Sequence, residues 1–211
     1  MPSPSERAAS LAKEIVSRSF SGRALIAIAG PPGAGKSTLA EALVDLLNKE
    51  LDEAPAVAVP MDGFHYDNLI LDAKALRARK GAPETFDASG FLAMVQRLRN
   101  ADEPIAIPVF DRKMDLSRAS ARMIEPHHRL LVIEGNYLLL DRPLWRDVSV
   151  LFDLTVMLRP SIDVIETRLI QRWLDHGYAP DEARAKAHGN DLANARVVLS
   201  ESGPADMIIQ D

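Results

Sequence analysis

Cysteine is absent from the 211 residues. This excludes disulfides, thiolate metal sites and a cysteine nucleophile, and it fits a reducing compartment. Long apolar runs are missing too, and the longest falls far short of a bilayer span. The opening Met1-Pro2-Ser3-Pro4-Ser5-Glu6-Arg7 has no apolar stretch of the secretory-leader kind. A soluble, cytoplasmic protein with no membrane partner is expected. A basic surplus is lacking as well. Lys and Arg number 25 against 30 for Asp and Glu, a net charge of −5, which argues against non-specific nucleic-acid binding.

What is present is an ordinary globular composition, 47% apolar and 26% charged, in a chain of the length that suits one α/β domain over residues 1–211. Its most informative segment is Gly30-Pro31-Pro32-Gly33-Ala34-Gly35-Lys36-Ser37-Thr38, which matches the phosphate-binding pattern G-x-x-x-x-G-K-S/T. The apolar run Ala24–Ala29 before it reads as a buried strand. Leu39–Leu47 after it carries apolar residues at helical spacing. Strand, glycine turn and helix are the context in which this pattern becomes a site. Gly30, Gly33 and Gly35 let the backbone turn tightly, so that N–H groups from Gly33 and Ala34 through Thr38 converge on phosphate oxygens. The helix N-terminus adds partial positive charge. Lys36 supplies a full charge to the outer phosphates and Ser37 a hydroxyl to Mg²⁺.

Helices are expected at 6–18 (capped by Ser5), 39–48, 72–79, 88–99, 161–176 and 180–200, the last broken near Gly189. Strands are expected at 24–29, 56–59, 105–110, 130–133, 150–158 and 207–209, with Pro108 marking an edge. Alternating strands and helices imply a mostly parallel sheet with helices on both faces. Ligands then gather at the C-terminal strand ends. Four segments meet on that rim: Gly30–Ser37, Asp62–Tyr66, Phe110–Arg112 and Glu134–Tyr137. Exposed-looking edge strands fit a homodimer.

No N-K-x-D guanine signature and no L-S-G-G-Q signature occurs. A small-molecule kinase or a plain nucleotide hydrolase remains. Phosphoryl transfer to a hydroxyl needs a metal-organising acid, a base and cations around the moving group. Glu134, ending the most uniformly apolar strand, is the candidate acid. Asp153 is its rival, placed mid-strand. Asp62 is the candidate base, although Asp62-Gly63 also reads as a simple turn. Arg168 and Arg172, one helical turn apart on a candidate lid over 161–190, suit a moving phosphoryl group; a solvated helix face is the bland alternative. Asp111 and Arg112 suit a polyol or an acidic acceptor, or form a plain surface pair. His65 and Tyr137 complete the substrate-side candidates. His127-His128 reads as a solvated turn, and Trp145 and Trp173 as core or interface residues.

Taken together, Gly30–Thr38, Met61-Asp62-Gly63-Phe64-His65, Glu84-Thr85-Phe86-Asp87, Val132-Ile133-Glu134-Gly135-Asn136-Tyr137 and Arg168-Leu169-Ile170-Gln171-Arg172 resemble the phosphoribulokinase/uridine kinase/bacterial pantothenate kinase family over about residues 24–175. Pro108–Arg112 and Gly189-Asn190-Asp191 are similar to its bacterial subgroup labelled as sugar, or fructose transport system, kinases. The resemblance implies a P-loop NTPase three-layer α/β/α sandwich with a helical lid. It also implies ATP and Mg²⁺, with Asp62 as the base beside the acceptor hydroxyl, Glu134 holding Mg²⁺ and Arg172 as a lid arginine near the phosphates. The expected reaction is transfer to a small hydroxylated metabolite, a sugar or sugar-like polyol. A uridine- or pantothenate-type kinase and an ATPase without an acceptor are the alternatives. Uridine kinases carry Asp-Ser-Phe-Tyr where this chain has Asp62-Gly63-Phe64-His65; Asp-Gly-Phe is closer to the pantothenate kinases.

Overall fold

The computed structural model describes residues 3–210; Met1, Pro2 and Asp211, the ends of the expected 1–211 unit, lie outside the described residues. The chain opens with α1 (Pro4–Ser17), capped by Ser3, whose hydroxyl accepts from the Glu6 N–H while the Glu6 carboxylate accepts from the Ser3 N–H. The cap lies upstream of the expected Ser5 because Pro4 fits the first helical position, where no N–H is needed. There follow β1 (Ala24–Ala29), α2 (Lys36–Glu50), β2 (Ala56–Pro60), α3 (Asn68–Ala73), α4 (Ala88–Asn100), β3 (Ile105–Asp111), β4 (Leu116–Ile124), β5 (Leu130–Gly135), α5 (Trp145–Ser149), β6 (Leu154–Leu158), α6 (Ile162–Asp175), α7 (Pro180–Lys186), α8 (Leu192–Glu201) and β7 (Met207–Ile209).

Five strands form one parallel sheet in the order β2-β5-β1-β6-β7. β1 is buried along its whole length, as a strand covered on both faces must be, and this is why it reads as an unbroken apolar run. Successive side chains point to opposite faces. Leu25 and Ala27 of β1 join Leu131 and Ile133 of β5 against Phe91, Val95 and Leu98 of α4. Ile26 and Ile28 join Val132 against Leu11 and Ile15 of α1 and Leu43 and Leu47 of α2. The result is the three-layer α/β/α architecture expected. A smaller cluster, Ile165, Leu169, Ala187, Leu192 and Ala195, holds α6 to the C-terminal helices.

Several elements differ from expectation. The run at 105–110 does not enter the main sheet. It forms one arm of a separate antiparallel hairpin with β4, and Pro108 sits at the irregularity between Ile107 and Val109, where a missing N–H costs no ladder bond. β4 is mostly exposed and carries no periodic apolar signal. Helix α3 starts early because the Asp67 carboxylate accepts from the Leu69 N–H. It stops early because the chain turns through Ala75 at φ 55°. The run at 150–158 becomes strand only from Leu154. Asp153 lies just before it, accepting from the Leu25 N–H and pairing with Arg99. That is the N-terminal end of β1, opposite the phosphate loop, so Asp153 anchors the sheet. The break near Gly189 is a π turn, Ala187–Asp191, between α7 and α8.

The hairpin crosses the turn Met61–Phe64 at Gly63. A Cβ there would lie 2.7 Å from the Pro108 carbonyl carbon and nearer still to its oxygen. A serine in the uridine-kinase manner does not fit, and this accounts for Asp-Gly-Phe. Gly63→Ala should cost at least about 1–3 kcal/mol, because backbone rather than a flexible side chain has to yield. Urea denaturation checks this, and an unchanged midpoint would rule out the close crossing.

Candidate active site

The strand register brings the chemistry together. Glu134 of β5 lies between Ile28 of β1, two residues before the glycine loop, and Pro60 of β2, two residues before Asp62. Within the loop, Gly33 and Gly35 adopt φ of 79° and 87°, left-handed values that a side chain would strain. Gly35 is also the N-cap of α2. A Cβ on Gly33 would meet Leu169 of α6 at 3.2 Å, so the 162–175 helix packs directly on the loop.

Lys36 is buried, with 8% of its surface exposed. Its Nζ donates to the Pro31 carbonyl at 3.0 Å and to Asn136 Oδ1 at 2.6 Å. Burial lowers its pKa, opposed by the charges of Glu134 and Asp62. Ser37 Oγ donates to Glu134 Oε1 at 3.1 Å. Glu134 is equally buried. Loss of water, then the neighbouring Asp62 charge, pushes its pKa up to about 7, with Lys36 and the Ser37 hydroxyl pulling the other way.

The unfolded chain ionises Glu134 near 4.5, whereas the folded chain holds the proton to about 7. The folded state therefore binds more protons across that window, and its stability, complete below about 4.5, falls as pH rises through about 7. Glu134→Gln should flatten this decline. Melting temperatures of both proteins across the window measure it, and parallel profiles count against it.

Asp62 projects from the turn after β2 and accepts from Arg112 Nη2 at 3.1 Å. His65 Nδ1–H donates to the Asp62 carbonyl at 2.8 Å, and the ring stacks between Phe86 and Phe110 at 4.0 and 4.6 Å. Burial lowers the His65 pKa, and its contacts make it a support for the Asp62 turn. A cleft of about 180 Å³ is lined by Ser37, Asp62, Phe110, Arg112, Arg122 and Glu134, among others. Arg168 lines a second recess of about 280 Å³ with Ala34, Gly35 and Thr38. A larger hollow of about 660 Å³ lies at the α4–β3 turn, among Gln96 to Glu103, away from these groups. Arg172 Nη2 pairs with Asp191 Oδ2 at 2.7 Å, and Trp173 Nε1 donates to the same oxygen at 2.8 Å. The Arg172 charge still reaches Lys36.

Three expectations on the substrate side are corrected, since His65 supports the Asp62 turn and neither it nor Tyr137 nor Asp111 lines the cleft. Tyr137 has no exposed surface. Its hydroxyl donates to the Gly81 carbonyl at 2.6 Å and its ring packs on Phe86 and Trp145, so it braces the 77–86 loop instead of meeting a ligand. Burial raises its phenol pKa. Asp111 accepts from the Lys113 and Met114 N–H groups and pairs with Arg118 at 2.8 Å. It closes the hairpin turn and is not part of the cleft wall. Three residues of the site carry no signal of their own in the sequence. Asn136 and Asp191 lie inside the motifs Val132–Tyr137 and Gly189–Asp191, but each needs its partner in space to acquire a role. Arg122 lies on the strand that had no signal.

The sequence profile of the Phosphoribulokinase / Uridine kinase family matches residues 25–210. The chain belongs to the phosphoribulokinase/uridine kinase family. Within that family it is 34% identical over 195 residues to a Schizosaccharomyces pombe protein provisionally named a uridine kinase, covering 89% of this chain and 83% of that one. It is 31% identical to the pantothenate kinase of Mycolicibacterium vanbaalenii, over 83% of this chain and 57% of that one. The crystal structure of a protein provisionally named a fructose transport system kinase, from Silicibacter sp. TM1040, superposes with a TM-score of 0.90 at 44% identity, covering 96% of this chain and 98% of that chain. These relatives are named as kinases, and this family member is a P-loop small-molecule kinase. Among its described residues no helix is long and apolar enough to cross a membrane.

Proposed function

We propose that the protein transfers the γ-phosphoryl group of ATP, with Mg²⁺, to a hydroxyl of a small metabolite, a sugar or sugar-like polyol. The observation that carries this reading is that Asp62 shares one cleft with Ser37 and Glu134. A carboxylate suited to accept a proton thus faces the pair suited to organise a metal. In this reading residues 1–211 act as one kinase unit and 161–190 as its lid. The Gly33–Thr38 backbone and Lys36 hold the phosphates, with Arg168 at the outer face of the loop.

Ser37 Oγ and Glu134 Oε1, 3.1 Å apart, are hard oxygen donors of the type Mg²⁺ takes when phosphates and water complete its shell. When bound, the ion neutralises charge on the β- and γ-phosphates. The acceptor oxygen forms the new O–P bond, the bond from the γ-phosphorus to the bridging oxygen breaks, the hydroxyl proton passes to Asp62, and ADP leaves. Arg172, held by Asp191 from the π turn, covers the developing charge from the lid side.

The cleft, about 180 Å³, is small beside the range of about 300–1,000 Å³ of ligand pockets generally, which suits a short polyol. The reading is tested by measuring ADP release across a panel of polyols, sugars, nucleosides and hydroxy acids. An acceptor that stimulates release and is recovered phosphorylated supports it. Release that no acceptor changes supports the acceptor-free ATPase.

A further inference from the structure

The cleft beside Asp62 holds one more positive charge than transfer to a neutral polyol requires. β4 carries Arg122 onto the cleft wall, where it is half-buried. Its Nη1 donates to the Ala58 carbonyl at 2.6 Å. Among the described residues no carboxylate lies within ion-pair distance of it. A carbonyl engages one of the several N–H donors of a guanidinium and cancels none of its charge. A guanidinium that lines a cleft with no acid beside it keeps its remaining donors for a carboxylate or phosphate.

Of the three acids that line the cleft, two already have partners. Asp62 has Arg112 at 3.1 Å. Glu134 has the Ser37 hydroxyl and the Lys36 charge. Glu41 is exposed to water on α2. The Arg122 charge is therefore available to a ligand that brings its own counter-charge. Arg112, its side chain 61% exposed, is free of packing that would stop it turning toward the same ligand.

Resting on the kinase reading above, we infer that the acceptor is a small hydroxylated anion, a short polyol bearing one carboxylate or phosphate. Arg122 and Arg112 take the anionic group, and this orients the hydroxyl at Asp62. Both arginines belong to the hairpin, and of the two the Arg112 charge also reaches Lys36, on the side that takes the nucleotide phosphates. The anion at Arg122 therefore selects the acceptor.

The experiment compares matched pairs as acceptors with ATP and Mg²⁺: glycerate against glycerol, erythronate against erythritol, and ribose 5-phosphate against ribose. ADP release is measured for the wild type, Arg122→Ala and Arg122→Lys. Thermal stabilisation by each anion without ATP is measured in parallel, so that a slow reaction does not hide binding. The carboxylate and phosphate pairs separate the two sources of anion. The anionic member of at least one pair should be favoured by about tenfold or more in kcat/KM. Arg122→Ala should raise its KM about 10–100-fold, the size of a lost charge-assisted contact, with kcat and the KM for ATP changed far less. Arg122→Lys should recover part of the loss. Neutral members used as well as their anionic partners would overturn the anion inference and leave the kinase reading standing. If no acceptor raises ADP release, the kinase reading fails. In that case anion stabilisation that Arg122→Ala abolishes still supports an anion site, and its absence removes that as well.

Discussion

Lys36→Met should reduce ATP-dependent turnover by at least about 10²–10³-fold, the loss typical when a preorganised charge is removed from a developing phosphoryl transition state. Methionine preserves the stem and its packing, so the experiment isolates the charge. The ammonium is held by the Pro31 carbonyl and Asn136 Oδ1. Both are neutral, and both yield to a triphosphate that offers full negative charge. The position is already desolvated, so attraction to phosphate is little screened. A second consequence follows from the same geometry. Lys36 is the largest influence lowering the Glu134 pKa, so the variant should hold the Glu134 proton to higher pH and need more Mg²⁺ at a given pH. ADP release and Mg²⁺ titrations at fixed ATP, with a melting curve to confirm folding, measure both effects. Turnover within threefold of wild type would remove Lys36 from the mechanism.

Asp62→Asn should leave ATP affinity nearly unchanged and lower kcat by about 10²–10⁴-fold. Asparagine keeps the shape and can still accept from Arg112, but it cannot take the hydroxyl proton. The two alternatives separate cleanly here. An ATPase that uses water and no acceptor has no need of this carboxylate and would keep its rate. The substitution also removes the Asp62 charge that helps to raise the Glu134 pKa, so Mg²⁺ should bind the variant at least as well as the wild type. Loss of turnover with ATP and Mg²⁺ binding intact is therefore the signature of a lost base. Loss of all three together would indicate collapse of the turn at Met61–Phe64.

Legibility of the site followed the range of the interactions involved. The phosphate loop is contiguous, its glycines answer to local backbone geometry and its flanking elements to local apolar period, so its position was readable directly. Asp62 and Glu134 were readable one step further out, because a parallel sheet gathers its C-terminal strand ends on one rim whatever the order of the strands. Tyr137 shows where this reasoning stops. It follows a rim strand, yet its side chain turns inward to bond Gly81, some fifty residues earlier in the chain. Asp111 stops it in another way, because a hairpin turn two residues on claimed its carboxylate. β4 carried no apolar alternation, since only one partner strand and a few core residues cover it, and Arg122 was hidden with it.

The amino-acid sequence alone determined the glycine loop between strand and helix, the layered α/β class and the placement of Asp62 and Glu134 on one rim. All three depend on contacts between near neighbours or on the periodicity of burial. Only the tertiary structure decided which partners complete the site. Lys36 meets Asn136, Arg172 meets Asp191, Arg112 meets Asp62, and among the described residues Arg122 is left without an acid. Those pairings join residues distant in sequence, and their energies come from charge held out of water by the packed sheet and hairpin, a condition that does not exist until the chain has folded.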